Sequence, residues 1–248
     1  MSEQEFIFGM HPVMEAFHAG RTIDRIYMQD GLKNDAAIEI KALCKVHNVY
    51  IHYVPQVKID YLSKGKSHQG VIAVLTEIIF KTLEEVLPEI LEREEIPLLI
   101  MLDKVTDVRN VGAVARTMDA MGAQALIVPL QGSARMNAEA MKASAGALMH
   151  IDVCREKNLR DTIMFLKESG VRIVACHESG ANEIFREDLS EPVCLLFGSE
   201  SEGISTALLK LTDSEISIPM KGKVGSLNVS VAAGMVLYEA MSQRRSIS

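Results

Sequence analysis

The sequence lacks the features that mark membrane, secreted and metal-binding proteins. Its longest apolar runs, such as Pro97 to Leu102, are far shorter than the roughly 20 residues that span a bilayer. The first residues, MSEQEF, are acidic and polar, and they lack the basic segment and the apolar segment of a signal peptide. We therefore expect a cytoplasmic protein. The four cysteines are dispersed and the seven histidines show no ligand spacing. We therefore expect small buried thiols and no metal site.

An excess of positive charge is also missing. The formal net charge is −7, which argues against a protein that coats nucleic acid by bulk electrostatics. A local basic patch remains compatible with this, because salt screens charges beyond about 10 Å. Acidic residues are concentrated between Glu77 and Glu95. This stretch contains seven acidic residues and only two basic residues. This stretch predicts a connector.

Signatures of common nucleotide sites are absent as well. The chain contains no G-x-G-x-x-G, and the loop from Gly198 to Gly203 lacks the G-K-[ST] of a P-loop. Binding of dinucleotides or of ATP-type phosphates is therefore not indicated.

What is present predicts an α/β protein of two domains. Apolar residues make up 48% and charged residues 24% of 248 residues, which is typical of globular chains. Residues 1–76 alternate short strands with helices, among them a helix over 34–47 with Ile38, Ala42, Leu43 and Val46 on its apolar side. Residues 77–96 form the linker, and residues 97–248 form the second domain, with a parallel sheet. Its predicted strands cover 98–103, 125–129, 171–176, 193–198 and 215–219, and its helices cover 111–121, 137–149, 158–169, 204–211 and 228–244.

Loops that follow the strands of a parallel sheet are where ligands bind. Four such loops are conspicuous: 103–110, 132–135, 198–203 and 221–228. In the first, Asn110 suits a helix N-cap. Arg116 follows one and two-thirds turns later in an apolar helix, either as a salt-bridged surface residue or as a clamp for phosphate or an oxyanion.

The other candidate segments also have two interpretations. Glu200 and Glu202 are either cap residues or part of a tight, donor-rich loop. The small residues after Asn228 fit a buried helix or one packed on a partner subunit. The basic loop from Lys64 to Gly70 fits a solvated turn or a phosphate-contacting loop.

Three of these stretches together resemble the motifs of the SpoU (TrmH) RNA 2′-O-ribose methyltransferases of the SPOUT superfamily. The motifs are NVGAVAR at 110–116, LLFGSESEG at 195–203 and IPMKGKVGSLNV at 218–229, in that order. KASAGALMHIDV at 142–153 is similar to the family too. FIFGMHPVMEAF and SHQGVIAV near the front resemble the L30e-like substrate-binding domain of the subgroup that methylates a guanosine of 23S ribosomal RNA.

The resemblance implies a deep trefoil knot, a homodimer with the site near the subunit interface, and S-adenosylmethionine as cofactor. It implies these cofactor-binding residues: Gly198, Ile218, Met220 and Leu227. It implies these catalytic residues: Arg116, Asn110, Glu200, Ser226 and Asn228. The RNA-binding candidates are Lys64, Lys66, His68, Lys221 and Lys223.

Several alternatives stay open from sequence. We predict ribosomal RNA as the substrate, which the front domain favours, and transfer RNA is the alternative. A non-catalytic RNA-binding protein is a further alternative, which the intact motif residues disfavour. Arg116 acts either as the base or as a stabiliser of the oxyanion and phosphate, and its near-permanent charge favours stabilisation.

Overall fold

The computed structural model describes residues 5–245 and divides into two compact units. The first comprises residues up to Ile79 together with Met136–Ala138, and the second comprises Phe80–Arg135 and the residues from Glu139 onward. The boundary therefore lies three residues after the predicted end of the first domain.

The first unit is a four-stranded mixed sheet with helices on both faces. Its elements are β1 (Phe6–Phe8), α1 (Met10–His18), β2 (Ile23–Gln29), α2 (Asp35–Val46), β3 (Tyr50–Val54), α3 (Gln56–Ser63) and β4 (Val71–Leu75). The strand order is β1-β4-β2-β3. β4 is antiparallel to β1 and β2, whereas β2 and β3 are parallel.

Alternation along the strands divides the apolar side chains between two cores. Ile26 of β2 and Val71 of β4 face α1 and α2. Tyr27 and Ile72, one residue further along, face the opposite side and pack against Ile59 of α3.

The second unit is an eight-stranded, wholly parallel sheet. Its first elements are β5 (Phe80–Lys81), α4 (Leu83–Glu92), β6 (Leu98–Asp103), α5 (Val108–Met121), β7 (Ala125–Pro129), α6 (Ala138–Ala143) and β8 (Asp152–Glu156). They are followed by α7 (Leu159–Glu168), β9 (Arg172–Cys176), β10 (Asn182–Glu183), β11 (Val193–Gly198), α8 (Thr206–Leu209), β12 (Ser214–Ser217) and α9 (Val229–Arg245). Short 3-10 turns cover Ala147–Met149 and Ile184–Arg186.

The sheet order is β10-β12-β9-β11-β6-β7-β8-β5, and every neighbouring pair is parallel. The middle strand β6 is buried along its whole length, as its continuous run LLIMLD predicts for a strand covered on both faces. α4, α7 and α8 pack on one face, and α9 packs against α5. The predicted α/β fold with a parallel sheet is confirmed.

The acidic stretch 77–96 differs from the predicted linker. β5 joins the edge of the second sheet beside β8. α4 begins with a capping box formed by Thr82 and Glu85 and buries four apolar side chains, Leu83, Val86, Leu87 and Ile90. Burial of each such side chain stabilises by roughly 1.5–3 kcal/mol, so α4 is a core helix with an acidic outer face.

Three further elements differ from their sequence predictions. α5 begins at Val108, because the Asp107 carboxylate accepts a hydrogen bond from the Arg109 N–H at 2.8 Å; Asn110 is therefore inside the first turn and is not the N-cap. The helix predicted over 137–149 stops at Ala143, since Ala145 and Gly146 adopt left-handed φ angles of 51° and 91°. Strand β8 was not predicted, because its sequence, DVCRE, is mostly polar.

Candidate active site

The loops that follow β6 and β11 start side by side at the carboxyl edge of the sheet. Asp103 at the end of β6 pairs with Gly198 at the end of β11. The Asp103 carboxylate then accepts a hydrogen bond from the Ser205 N–H at 2.8 Å, which ties the two loops together. The segment after β12 leads to α9, which packs on α5, so the three motif stretches converge.

A polar cluster links these three stretches. The Asn228 Nδ2 donates to Asn110 Oδ1 at 2.9 Å and to Glu200 Oε1 at 2.5 Å. Asn110 Nδ2 donates to the same Glu200 oxygen at 3.3 Å. Three of the five predicted catalytic residues therefore form one hydrogen-bonded group with a carboxylate at its centre.

Local structure fixes each member of this cluster. Asn110 lies in the first turn of α5. The loop that carries Glu200 is closed by the Gly203 N–H, which donates to the Ser199 carbonyl at 2.9 Å. Asn228 precedes α9, and its Oδ1 accepts from the Ser230 N–H at 3.0 Å, so Asn228 caps this helix.

Close backbone contact in the Glu200 loop requires glycine at position 198. A Cβ atom placed on Gly198 would lie 2.0 Å from the Gly203 carbonyl carbon, which is far inside contact distance. The loop therefore folds back on the end of β11 only because Gly198 has no side chain.

A second carboxylate of the loop is neutralised by an ion pair. Lys104 Nζ lies 2.7 Å from Glu202 Oε2 on the protein surface. The hydrogen bond from Lys104 lowers the pKa of Glu202, and the same bond raises the pKa of Lys104. Glu202 is therefore held as a surface ion pair at the rim of the cavity described next.

A cavity of about 290 Å³ opens between the loops that follow β9, β11 and β12. Its volume lies near the lower end of those of small-molecule sites. The predicted cofactor-binding residues all line it: Gly198, Ile218, Met220 and Leu227. Glu200 and Ser226 line it too, so the polar cluster and the cavity share the Glu200 side chain.

Three lining residues were missed from sequence: Cys176, His177 and Glu178 at the end of β9. His177 Nε2 lies 2.8 Å from Glu215 Oε2, and the His177 N–H donates to the Ile216 carbonyl at 3.0 Å. Burial raises the pKa of the Cys176 thiol well above its ordinary value, so this cysteine lines the cavity as a neutral thiol. Only the position of β9 between β11 and β12 could have predicted these contacts.

Arg116 is not brought to the cavity. Its side chain is exposed on α5, and it is absent from the lining residues. Arg116 lies six positions after Asn110 on α5, so the two side chains point about 120° apart around the helix axis.

The basic RNA-binding candidates lie in two loops. Lys221 and Lys223 are exposed within the loop from Pro219 to Asn228. In the first unit, Lys64 and Lys66 are exposed, but both ring nitrogens of His68 are used within the protein. Nδ1 accepts from the Gly70 N–H at 3.0 Å and Nε2 lies 2.8 Å from Asp60 Oδ1, so His68 holds its loop in place.

Metal and membrane sites are not found in the described residues. Within 5–245, no group of three or more His, Cys, Asp and Glu side chains is arranged to hold a metal ion. None of the helices in that range combines the length and the apolar character that crossing a membrane requires.

Family profiles account for both units. Residues 97–238 match the SpoU rRNA Methylase family. The chain belongs to the SpoU methylase family. Residues 6–79 of this SpoU chain match a second profile, that of the RNA 2′-O ribose methyltransferase substrate-binding domain. The family predicted from the three motifs is thereby confirmed.

Relatives of the SpoU chain match over its full length. A Bacillus subtilis (strain 168) protein assigned to the TrmH family of tRNA/rRNA methyltransferases, YacO, is 33% identical over 100% of this chain and 99% of its own. Among solved structures, the SpoU methyltransferase AviRb from Streptomyces viridochromogenes, in complex with the cofactor AdoMet, is 27% identical with a TM-score of 0.62 and covers 98% of this chain and 91% of its own.

Two further structures differ in coverage. The AdoMet-bound rRNA methyltransferase from Sinorhizobium meliloti is 25% identical with a TM-score of 0.59 over 98% of this chain and 87% of its own. The TrmH/SpoU tRNA modifying enzyme of A. aeolicus is 31% identical with a TM-score of 0.56, over 66% of this chain and 85% of its own.

Proposed function

We propose that this chain transfers a methyl group from S-adenosylmethionine to a ribose 2′-hydroxyl of RNA, and that the nucleotide is a guanosine of 23S ribosomal RNA. The observation that carries the proposal is that the cavity and the Asn110–Glu200–Asn228 cluster share one carboxylate. A ligand in the cavity and a hydroxyl that approaches the cluster would therefore meet at Glu200.

The lining of the cavity fits this cofactor. Three carboxylates line it, Glu178, Glu200 and Glu202, of which Glu202 is paired with Lys104, and among the described lining residues there is neither lysine nor arginine. Carboxylates attract a sulfonium cation and repel a nucleoside triphosphate. When bound, S-adenosylmethionine supplies an electrophilic methyl group. Gly198, Ile218 and Leu227 would hold it, with Met220 beside them.

The polar cluster would position the accepting ribose. Both amides donate to Oε1 of Glu200, so its orientation is fixed and its other oxygen, Oε2, can accept a hydrogen bond from the ribose hydroxyl. Ser226 would contact the ribose or its adjacent phosphate from the cavity wall. Fixed orientation of this kind lowers the barrier by holding the reacting oxygen near the methyl group.

Arg116 is proposed to stabilise the oxyanion and the neighbouring phosphate. A guanidinium is almost permanently charged, which suits stabilisation better than proton abstraction. Because Arg116 lies outside the cavity of its own chain, we propose that it acts at the site of a second copy.

A homodimer formed through α9 would permit this arrangement. Val231, Met235 and Tyr238 recur at helical spacing on α9 and are 49%, 45% and 60% exposed. Such an apolar stripe favours burial against another subunit. α5 packs directly against α9, since Gly234 places its backbone next to Thr117, the neighbour of Arg116.

Two finer details of the fold, the knot and the identity of the first unit, are also part of the proposal. We propose a trefoil knot, and close packing of the segment after β9 on strand β12 is compatible with it: a Cβ atom on Gly180 would lie 2.2 Å from the Ile216 carbonyl carbon, and the Ser217 hydroxyl donates to the Gly180 carbonyl at 3.0 Å. The mixed sheet of the first unit supports its assignment as an L30e-like RNA-binding domain, with Lys64 and Lys66 on its surface.

Ribosomal RNA is favoured over transfer RNA by the first unit. The similarity to the rRNA methyltransferase from Sinorhizobium meliloti extends over 98% of this chain, whereas that to the tRNA modifying enzyme extends over 66%. A ribosomal substrate would also place the protein in the cytoplasm.

The test is methyl transfer with defined RNA. The protein is incubated with methyl-labelled S-adenosylmethionine and with deproteinised ribosomal RNA or transfer RNA, and the labelled nucleotide is mapped. We expect label on a ribose of 23S RNA. Arg116→Ala should lose turnover by at least about 100-fold and keep cofactor binding, with the exposed Arg160→Ala as control. Label on transfer RNA alone, or full turnover in Arg116→Ala, would contradict the respective assignment.

A further inference from the structure

One face of the sheet in the first unit carries aromatic side chains that are only partly covered. Phe6 and Phe8 of β1 lie on the face opposite α1 and α2, with their rings stacked 6.1 Å apart. The single helix on this face, α3, has eight residues and buries only Ile59 and Ser63. Both phenylalanines are consequently half-buried.

The outer surface of α3, on the same side of the sheet, also carries an exposed aromatic side chain. Val57 and Tyr61, one helical turn apart, are 78% and 76% exposed. Lys58 Nζ lies 5.5 Å from the centre of the Tyr61 ring, and Lys66 Nζ lies 4.9 Å from the centre of the Phe8 ring. Two aromatic rings on this side of the first unit are thus each paired with a lysine: Tyr61 on the outer surface of α3, and Phe8 on β1.

The loop that carries Lys66 is held in one conformation. His68 is fixed by its two ring hydrogen bonds, and the side-chain oxygen of Gln69 accepts from the Met10 N–H at 3.1 Å. Lys64 and Gln69 adopt left-handed φ angles of 50° and 48°, which non-glycine residues rarely adopt. A fixed loop loses little conformational entropy when its lysines bind a ligand.

Charge indicates what binds this face. Between residues 56 and 70 the basic side chains are Lys58, Lys64 and Lys66, and the one acidic side chain, Asp60, is bonded to His68. Aromatic rings flanked by lysines suit a polyanion with flat apolar groups, which describes nucleic acid better than a protein surface. Stacking requires bases whose faces are free, and these occur in single-stranded RNA and not within a duplex.

We propose that Tyr61 and Phe8 stack on unpaired bases of the RNA substrate, while Lys58 and Lys66 contact the neighbouring phosphates. This inference rests on the proposed function, because it names how the first unit recognises the RNA. It adds a specific mode of recognition: unpaired bases within the RNA substrate are required for tight binding.

A second tyrosine of the same unit provides a matched control. Tyr53 is 52% exposed and also has a lysine over its ring, with Lys41 Nζ 5.7 Å from the ring centre. It lies on the opposite face of the sheet, beside α2, because it alternates with Val54 on β3. The two tyrosines therefore share their chemistry and differ in the face on which they lie.

The chain contains no tryptophan, so a single introduced indole is a specific reporter. We expect the fluorescence of full-length Tyr61→Trp to be quenched in a saturable manner by an unstructured adenine-containing RNA oligonucleotide. Tyr53→Trp should keep its fluorescence under the same titration. Equal quenching in both variants, or none in Tyr61→Trp while fluorescence anisotropy reports RNA binding, would overturn the proposal.

Affinity provides the second measurement. Tyr61→Ala should weaken binding of the same oligonucleotide about ten-fold, Tyr61→Phe should bind within two-fold of wild type, and Tyr53→Ala should be unchanged. Wild-type affinity in Tyr61→Ala, or in the apolar but non-stacking Tyr61→Leu, overturns the proposal.

A methyl-transfer assay of the wild-type protein distinguishes failure of the proposed stacking surface from failure of the proposed function. If ribosomal RNA is methylated but Tyr61→Ala binds the oligonucleotide as wild type does, the stacking surface is refuted alone. If no RNA is methylated, the proposed function fails, whatever the result for Tyr61.

Discussion

Asn228 joins a loop to a helix, and its side chain uses different atoms for each task. Its Oδ1 accepts from the first turn of α9, while its Nδ2 donates to Asn110 and Glu200. The stability of α9 and the geometry of the site therefore depend on one residue, and substitutions can separate the two roles.

Two replacements of Asn228 should differ in stability and agree in activity. Asn228→Ser keeps an oxygen that caps α9, so its free energy of unfolding should stay within about 0.5 kcal/mol of wild type, whereas Asn228→Ala should lose about 1 kcal/mol. Both remove the amide donor and should lower methyl transfer roughly 100-fold. Thermal unfolding and a methyl-transfer assay measure the two effects, and wild-type transfer in Asn228→Ser would argue against the cluster.

Glu156 should make stability depend on pH. Its carboxylate is buried and accepts from the Leu83 N–H at 2.7 Å, and burial raises its pKa above the ordinary value of 4.5. The folded state therefore holds the proton more tightly than the unfolded state, and stability falls as the pH rises from 4.5 through the folded pKa.

Glu156→Gln keeps the acceptor for Leu83 and removes the charge. We expect its midpoint of thermal unfolding to exceed that of wild type at pH 7, and the difference to shrink as the pH is lowered toward 4.5. The exposed Glu168→Gln is the control and should follow wild type. A less stable Glu156→Gln at pH 7 would show that the charge is favourable where it lies.

Some features of single residues could not be predicted from the sequence. Asn110 and Asp107 both suit an N-cap, and only the hydrogen bond from Arg109 decides between them. Arg155 and Glu156 are buried although charged, and for this reason β8 was not recognisable as a strand. Gly198 was predicted from the motif to which it belongs, whereas an asparagine at position 228 suits a helix cap by residue type alone.

Helix α9 is the element whose surface matters most for assembly. Its buried side packs within its own unit, while the stripe of Val231, Met235 and Tyr238 is exposed. If a second copy covers this stripe, a charge placed in it must be desolvated in the dimer, and the dimer dissociates.

Met235→Arg should therefore convert a homodimer into a monomer. Light scattering coupled to size exclusion measures the mass, and methyl transfer should fall with the dimer if Arg116 acts in the second copy. Val46→Arg, at a 77% exposed position on α2, is the control and should keep the wild-type mass. A Met235→Arg dimer of unchanged mass would exclude this face as the interface.

Helix α2 shows why element faces are harder to predict than element positions. Its limits agreed with the sequence to within one residue, but of its predicted apolar side only Leu43 packs against the core. Ile38 and Val46 are exposed, while the smaller Ala37 and Cys44 are buried with Ile40. Both sides of the helix are apolar, and small residues allow the closer approach to the sheet.

For the molecule as a whole, the two units should be separable at residue 79 and not at residue 96. The fragment 80–248 retains α4, whereas the fragment 97–248 loses its four buried apolar side chains. We expect the longer fragment to bind S-adenosylmethionine and to lose RNA affinity.

The shorter fragment should be destabilised by more than about 5 kcal/mol. Urea unfolding and calorimetry with the cofactor distinguish the fragments. If both fragments have equal stability, α4 is a linker after all.

The order of the strands in the second sheet could not be predicted from the sequence. Alternating strands and helices predict a parallel sheet, but the pairing of β9 with both β11 and β12 depends on contacts between distant segments. For that reason Cys176, His177 and Glu178 carried no signal, although Gly198 and Leu227, which line the same cavity, were predicted from their motifs.

The position of β6 at the middle of the second sheet has a consequence for synthesis. Leu98 at its start pairs with Val193 of β11, so the ribosome must add almost a hundred further residues before β6 has both neighbours. At roughly 5–20 residues per second the strand LLIMLD waits for about 5–20 s with one edge unpaired. The first unit has all its strands by Leu75 and can fold during this delay. Slowing translation between residues 98 and 198 should therefore increase aggregation of the nascent chain more than slowing it before residue 75.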